Sequence, residues 1–186
     1  VYKRQLHYDP IPPLLSSGNK AVEYFVKRDL LKESVEPINN IWGLPGVQRL
    51  LKKQQPDGSW IYPGTWKIAY PKHHYSLIET WKVFRALVEE YGFNKADPAA
   101  KRAVEFLLSC QTEMGDIRGF IGNQYATYYT GAIMALLIKA GYGAEPRIKK
   151  GFKWLLSMRQ DDGGWAVPIL THKYDRKTMY RMTCLL

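Results

Sequence analysis

Side chains that can move protons or attract cations gather near the starts of two predicted helices. His73 and His74 lie at the start of one helix, and Asp116 lies in the segment before the next. Histidine and carboxylate groups can shuttle protons, and the faces of aromatic rings attract cations through their π-electrons. Our candidates for the rim of a cavity are His73, His74, Glu79, Asp116, Tyr125, Tyr128 and Tyr129.

The same side chains also suit a structural role. Tyrosine and histidine at helix ends often keep an apolar body against the protein and a polar tip in water. Glu79 lies three residues before Lys82 and can simply pair with it on the helix surface. A carboxyl at position 79 becomes a candidate acid only if its surroundings are apolar, and the sequence leaves both interpretations open.

The two cysteines, Cys110 and Cys184, stand far apart. A zinc ion that activates a thiol also needs ligands such as Asp or His, and no histidine lies near Cys110 in the sequence. We therefore interpret Cys110 as a packing residue and predict neither a metal nor a cofactor. The sparse cysteine content favours a reducing, cytoplasmic setting.

Three segments share one register, which indicates an internal repeat. In each segment a Leu-Leu pair is followed three residues later by Gln54, Gln111 or Arg159, and a glycine follows four residues after that. The segments are GVQRLLKKQQPDGSW (46–60), AVEFLLSCQTEMGDI (103–117) and GFKWLLSMRQDDGGW (151–165). The motif residues are Gln54, Asp57, Gly58, Trp60, Gln111, Gly115, Arg159, Asp162, Gly163 and Trp165.

Apolar spacing predicts that each repeat begins as an amphipathic outer helix and ends at its glycine. Pro45, Pro98 and Pro146 suit the first positions of these helices, where a missing N–H costs little. Inner helices are predicted at 74–91 and 125–140. The second is apolar on nearly every side, so we expect neighbouring helices to enclose it. Segments 19–31 and 38–54 are predicted to form a further helical hairpin. The predicted buried faces are Val47, Leu50 and Leu51; Ala100, Ala103, Val104, Leu107 and Leu108; and Ile148, Phe152, Leu155 and Leu156.

The predicted fold is therefore all-α, with helical hairpins in two layers. In the first and third repeats the Asp-Gly turn supplies a sharp exit from the outer helix, and the Gln or Arg before it can stack on the Trp after it. We expect this motif to join one hairpin to the next rather than to catalyse, because it offers neither a nucleophile nor a base.

These residues resemble the QW motif, Gln followed by Asp-Gly-x-Trp, of squalene-hopene and related triterpene cyclases. GNQYATYYTGAIMALLIKAGYG (122–143) is similar to an inner helix of the same repeat. The resemblance implies an α/α toroid, a fold shared with protein prenyltransferase β subunits, here as an incomplete arc. Ile117 stands where the motif has Trp, and Arg159 where it has Gln.

The resemblance implies an isoprenoid-type lipid, or another apolar small molecule, in a central cavity. These cyclases protonate their substrate with an Asp of an Asp-x-Asp-Asp motif. The nearest string in this sequence is RQDD (159–162), in which Arg159 occupies the first acidic position. We therefore assign no catalytic acid. Two functions stay open: a terpene cyclase-like or prenyltransferase-like enzyme, and a non-catalytic toroid that binds a lipid or a peptide. A carbohydrate-active α/α barrel is a weaker third, because it needs two carboxylates across the ring and the sequence offers no convincing pair.

The net charge of +10 does not by itself predict a nucleic-acid site, because positive and negative residues are interspersed. We expect no nucleic-acid partner, and a weak contact with a membrane surface stays open at the basic segments 147–153 and 172–181. The longest apolar run, 131–138, is far shorter than the roughly 18 residues that a membrane span requires.

The first residues, VYKRQ, resemble the translation of a transposon adaptor used in sequencing libraries, and the terminal CLL matches its reverse strand in one frame. We therefore expect residues 1–5 to be an adaptor scar and 184–186 a second one, with a natural basic N-terminus as the alternative. On this division, 6–37 form a helical leader and 38–183 a fragment of an α/α-toroid repeat domain.

Overall fold

The computed structural model describes residues 8–64, 72–120 and 124–165. These ranges contain helices and turns, and their only β-type pairs are two isolated bridges. The α-helices are α1 (Ile11–Leu15), α2 (Lys20–Phe25), α3 (Pro45–Leu51), α4 (Lys72–Tyr91), α5 (Pro98–Ser109), α6 (Thr127–Leu137) and α7 (Pro146–Ser157). A π-helix (Val26–Leu30) continues α2, a second (Ile138–Tyr142) continues α6, and a 3-10 helix (Ile38–Gly43) precedes α3.

The helices lie in two layers, as predicted for an α/α toroid. The inner helix α4 contacts the outer helices α3 and α5, and the inner helix α6 packs on the outer helix α7. Helices α4 and α6 also contact each other, so the inner layer is continuous. The all-α prediction and the alternation of outer and inner helices are therefore confirmed for the described residues.

Proline begins each outer helix, as predicted. Pro45, Pro98 and Pro146 occupy the first helical position of α3, α5 and α7. The residue before the proline caps two of them: the Asp97 carboxylate accepts from the Ala99 N–H at 2.7 Å, and Glu145 caps α7 in the same way. The predicted single helix over 38–54 is wrong, because Leu44 before Pro45 is extended (φ −58°, ψ 142°) and separates the 3-10 helix from α3.

Each outer helix ends in a turn that only glycine fits. Gly58, Gly115 and Gly163 have φ values of +89°, +111° and +88°, as the sequence predicts. A Cβ on Gly58 would lie 2.1 Å from the Arg102 carbonyl oxygen, and one on Gly115 would lie 2.7 Å from the Lys150 carbonyl oxygen. These two carbonyls belong to the early part of the next outer helix, so the turn and that helix are in close contact.

A glutamine amide joins each of the first two outer helices to the next one. Gln54 Nε2 donates to the Gly58 carbonyl at 3.2 Å and to the Ala99 carbonyl of α5 at 2.9 Å. Gln111 Nε2 donates in the same pattern, to Gly115 at 2.8 Å and to Arg147 of α7 at 2.9 Å. The sequence predicted a join at these positions but through stacking on Trp; the contacts that make the join are hydrogen bonds to backbone carbonyls.

The tryptophans close the turn onto their own helix. Trp60 Nε1 donates to the Leu50 carbonyl at 2.8 Å, and Trp165 Nε1 donates to the Leu155 carbonyl at 2.7 Å. In the third repeat Arg159 Nε donates to the Gly163 carbonyl at 3.1 Å, which is the bond that Gln makes within the other two turns. The substitution of Arg159 for Gln therefore keeps the hydrogen bond inside the turn.

A buried threonine fixes each inner helix to the turn before it. The Trp60 N–H donates to Thr80 Oγ1 of α4 at 2.9 Å, and the Ile117 N–H donates to Thr130 Oγ1 of α6 at 3.1 Å. Both threonines are fully buried. Each turn is consequently bonded both to the next outer helix and to the next inner helix.

Two predictions about burial are wrong. Phe152 and Leu156 of α7 are 39% and 64% exposed, although the residues at the same register in α5, Val104 and Leu108, are buried. An amphipathic pattern identifies an apolar face but not what covers it.

Helix α6 is likewise not enclosed on every side. Ile133 and Leu137 are fully buried, while Tyr128 and Ile138 are 63% and 44% exposed. The helix contacts α4 and α7, and the side that carries Tyr128 and Ile138 is open.

Removing the Trp60 side chain should destabilise the fold strongly. Trp60 is 2% exposed and bonded through its indole N–H, so we expect Trp60→Ala to lower the free energy of unfolding by roughly 3 kcal/mol. The neighbouring Ile61, which is 56% exposed, supplies the control Ile61→Ala with an expected change near zero. Urea denaturation measures both, and equal stability of the two variants would contradict the structural role of the indole.

The turn glycines should tolerate no side chain. For Gly115→Ala we expect a loss of at least about 2 kcal/mol in unfolding free energy, since an unfavourable φ adds to the clash with Lys150. Gly18→Ala is the control that measures the cost of a positive φ without a clash, because Gly18 has φ +71° and open space around it. We expect this variant to lose about 1 kcal/mol in unfolding free energy. If thermal and urea denaturation give the two variants the same loss of stability, the close contact between Gly115 and the Lys150 carbonyl does not contribute to the cost of the substitution.

Candidate functional site

Four aromatic side chains meet on the open side of the inner layer, and we name them the aromatic cluster: Trp81, Phe120, Tyr128 and Tyr129. Phe120 and Tyr129 are stacked with ring centroids 4.2 Å apart. Trp81 meets both of them edge-on, at 5.5 Å and 5.9 Å. Tyr128 packs edge-on against Tyr129 at 5.3 Å and remains largely exposed, so the cluster has an accessible ring.

The segment 116–120 carries Phe120 into this cluster. Gly119, with φ +119°, lies against the His74 ring, since a Cβ there would be 3.1 Å from His74 Cδ2 and from Leu77 Cδ2. His74 is buried, with 4% of its surface exposed. The predicted proximity of the start of α4 to this segment is thus present, whereas the His73 side chain lies outside the described part of the structure.

Asp116 is held inside the second repeat turn. It is fully buried, its carboxylate accepts from the Thr112 hydroxyl, and it forms an ion pair with Arg118 at 2.7 Å. The Thr112 N–H also donates to the Asp116 carbonyl at 2.8 Å. These contacts assign Asp116 a role in shaping the segment 116–120, and its carboxylate does not reach the surface.

The other candidates occupy separate places. Glu79 pairs with Lys82 at 3.3 Å, although the Glu79 side chain is only 13% exposed while that of Lys82 is 53% exposed. Tyr125 packs edge-on against Trp154 of α7 at 6.1 Å, so its ring belongs to the contact between the layers. Among the six rim candidates whose side chains the structure describes, Tyr128 and Tyr129 are the ones that join the aromatic cluster.

A groove runs between the open sides of α4 and α6, and we name it the inner groove. Its volume is about 260 Å³. It begins at Trp81 and Tyr128 and continues toward the far ends of the two helices. The lining residues are Trp81, Arg85, Glu89, Tyr128, Ala132, Ala135, Leu136 and Lys139.

Charged groups lie along one part of the inner groove. The Arg85 guanidinium lies 4.7 Å from the centre of the Trp81 ring, a cation–π geometry. Arg85 also meets Glu89 at 3.8 Å across one helical turn. Lys139 is exposed and forms no ion pair with any residue in the described ranges.

The remaining chemical candidates have structural partners. In the RQDD segment, Asp162 accepts from the Gly164 N–H at 3.0 Å and completes the third turn. Cys110 is half-buried and packs against the core, and burial raises the pKa of its thiol to about 11. Within 8–64, 72–120 and 124–165 no three His, Cys, Asp or Glu side chains lie close enough together to hold a metal ion.

Sequence reasoning missed three residues that organise this region. Phe120 was not a candidate because it lies in an irregular segment without a helical pattern. Thr80 and Thr130 interrupt otherwise apolar faces of α4 and α6, and a polar residue on a buried face must find a hydrogen-bond partner. That interruption was the signal that could have identified them.

None of the described helices is both long and apolar enough to cross a membrane.

Comparison with known proteins places the repeats in a family. The model of the squalene-hopene cyclase C-terminal domain matches residues 77–183, more than half of the chain. A squalene-hopene cyclase of Schizosaccharomyces japonicus is 29% identical over 125 residues, which are 65% of this chain and 19% of that protein. A squalene-hopene cyclase of Zymomonas mobilis is 32% identical over 81 residues, which are 44% of this chain and 12% of that protein.

The matched regions cover less than a fifth of each of these relatives. The part matched by the family model contains α5, α6, α7 and most of α4, together with the second and third repeat turns. With the two-layered helical arc and its repeated turns, this match shows that the chain belongs to the squalene-hopene cyclase C-terminal domain family.

Proposed function

We propose that this chain forms part of the wall of a cavity that binds an isoprenoid-type lipid, in a squalene or terpene cyclase-like or prenyltransferase-like protein. The aromatic cluster is the observation that carries the proposal. Two of its rings, Trp81 and Tyr128, line the inner groove, and Tyr128 is 63% exposed. A ring left exposed beside the apolar surface of Ala132 and Leu136 suits contact with a hydrocarbon.

The aromatic rings also suit cationic chemistry. The faces of Trp and Tyr stabilise positive charge through their π-electrons, and Trp81 already holds the Arg85 guanidinium in this way. A carbocation derived from an isoprenoid would profit from the same property of Tyr128. The family membership and the names of the two relatives support this class of ligand.

The acid that would start a cyclisation is not assigned to the described residues. Asp116 is buried in an ion pair, Glu79 is paired with Lys82, and Asp162 completes a turn. None of these three carboxylates is therefore assigned as the acid of a cyclisation. The engaged carboxylates also support the second candidate function, a toroid that binds a lipid or a peptide without catalysis.

Binding of squalene, carried in cyclodextrin, tests the proposal through the intrinsic tryptophan fluorescence. We expect saturable binding, with Tyr128→Ala weakening it about fivefold to tenfold because an aromatic contact is lost. Phe152→Ala is the control, since Phe152 is also an exposed aromatic but lies on α7, away from the cluster, and it should leave binding unchanged.

Product analysis after incubation with squalene separates the two candidate functions. A cyclised product would support the enzyme, and saturable binding without a product would support the binding module. Absence of saturable binding, or equal effects of Tyr128→Ala and Phe152→Ala, would overturn the assignment of the aromatic cluster to a lipid cavity.

A further inference from the structure

The side of α4 that faces α6 is covered, and the equivalent side of α6 is not. On α4, Trp81 meets Tyr129 of α6 edge-on at 5.9 Å, and Val88, two helical turns further along the same side, is 3% exposed. Ile138 is the equivalent of Val88, because each lies eight residues after the buried threonine of its inner helix. Ile138 is 44% exposed, so α6 has an open side at the place where α4 has a neighbour.

The third repeat turn carries the donor that fixes an inner helix in the first two repeats. In those repeats, the residue two positions after the glycine donates its N–H to the buried threonine of the next inner helix. Trp165 stands two positions after Gly163 and is the corresponding residue of the third turn. No acceptor for its N–H lies among the residues that the structure describes. The acceptor is therefore to be sought in the part of the chain that follows Trp165.

The sequence places a threonine at the position that the repeat requires. Thr178 lies 48 residues after Thr130, and Gly163 lies the same 48 residues after Gly115. Thr178 also follows Trp165 by 13 residues, the separation of donor and acceptor in the second repeat. The turn, its donor and its acceptor thus repeat with one common spacing.

The residues around Thr178 follow the apolar pattern of α6. Tyr174, Thr178 and Met182 are spaced four apart and would share one side of a helix. Their counterparts 48 residues earlier are the buried Ala126, Thr130 and Met134. The match to the family model continues to residue 183, so this segment belongs to the same domain as α6.

We infer that segment 172–183, which lies outside the described residues, packs as a third inner helix against the open side of α6, with the Thr178 hydroxyl accepting from the Trp165 N–H. The surface around Ile138 is then covered by this chain itself. A second copy of the chain or a lipid surface would be the other possible cover, and neither of them would use Thr178. The inference concerns the inner layer and does not depend on the ligand in the proposed function.

Hydrogen exchange of backbone amides, measured by NMR on the full chain, tests the Thr178 bond. Thr178→Val keeps the shape of the side chain and removes the acceptor, so the Trp165 amide should exchange about tenfold faster. Thr130→Val is the reference, with the same acceleration expected at Ile117. Thr183→Val is the control and should leave the Trp165 amide unchanged.

The amides of the other turns show that the Thr178→Val chain is folded, since they should stay protected. A Trp165 amide that exchanges at the same rate in the unsubstituted chain and in Thr178→Val would overturn the inference. So would equal effects of Thr178→Val and Thr183→Val.

Thiol labelling tests the cover over Ile138 without changing Thr178. Cys184 is replaced by serine, and Cys110 reacts slowly because burial raises the pKa of its thiol to about 11. Ile138→Cys should then react with a soluble disulfide reagent about tenfold more slowly than Met114→Cys, whose position is 68% exposed. Equal labelling rates would contradict the inference. A rate at Ile138→Cys that rises on dilution would assign the cover to a second copy and would also overturn it.

Discussion

One side-chain amide that donates to two backbone carbonyls holds each outer helix to the next. Gln54 bridges its own turn and the Ala99 carbonyl, and Gln111 bridges its own turn and the Arg147 carbonyl. The amide reaches both carbonyls only because the turn lies directly against the next helix, and that approach excludes any residue larger than glycine at Gly58 and Gly115. Arg147 adds a second link, since its guanidinium binds Glu105 of α5 at 2.9 Å and 3.0 Å.

The position of the inner layer follows from these turns. The residue after each turn donates its backbone N–H to a buried threonine, so α4 and α6 are set relative to the outer helices at Thr80 and Thr130. The segment that follows the second turn is fixed by buried Asp116 and then carries Phe120 against Tyr129. The aromatic cluster is consequently an extension of the repeat turns, even though no turn residue belongs to it.

The repeat pattern predicted the parts of the fold that depend on local geometry. Pro98 and Gly115 could be placed from the sequence because each restricts the backbone in a way that only a few structures satisfy. The exposure of Phe152 and Leu156 could not be predicted in this way, because burial depends on a neighbour and not on the helix itself. Tyr128 and Tyr129 pack against each other, while Tyr125, in a similar sequence position, packs against Trp154 of α7, and this difference also depends on the neighbouring helix.

Paired substitution of the two glutamines tests the equivalence of the turns most directly. If each amide satisfies two carbonyls in the same way, Gln54→Leu and Gln111→Leu should each lower the free energy of unfolding by about 1–2 kcal/mol in urea denaturation, since leucine keeps most of the volume but removes both donors. Similar losses for the two variants are the predicted result. A loss near zero in either variant would contradict the account that this amide joins the outer helices.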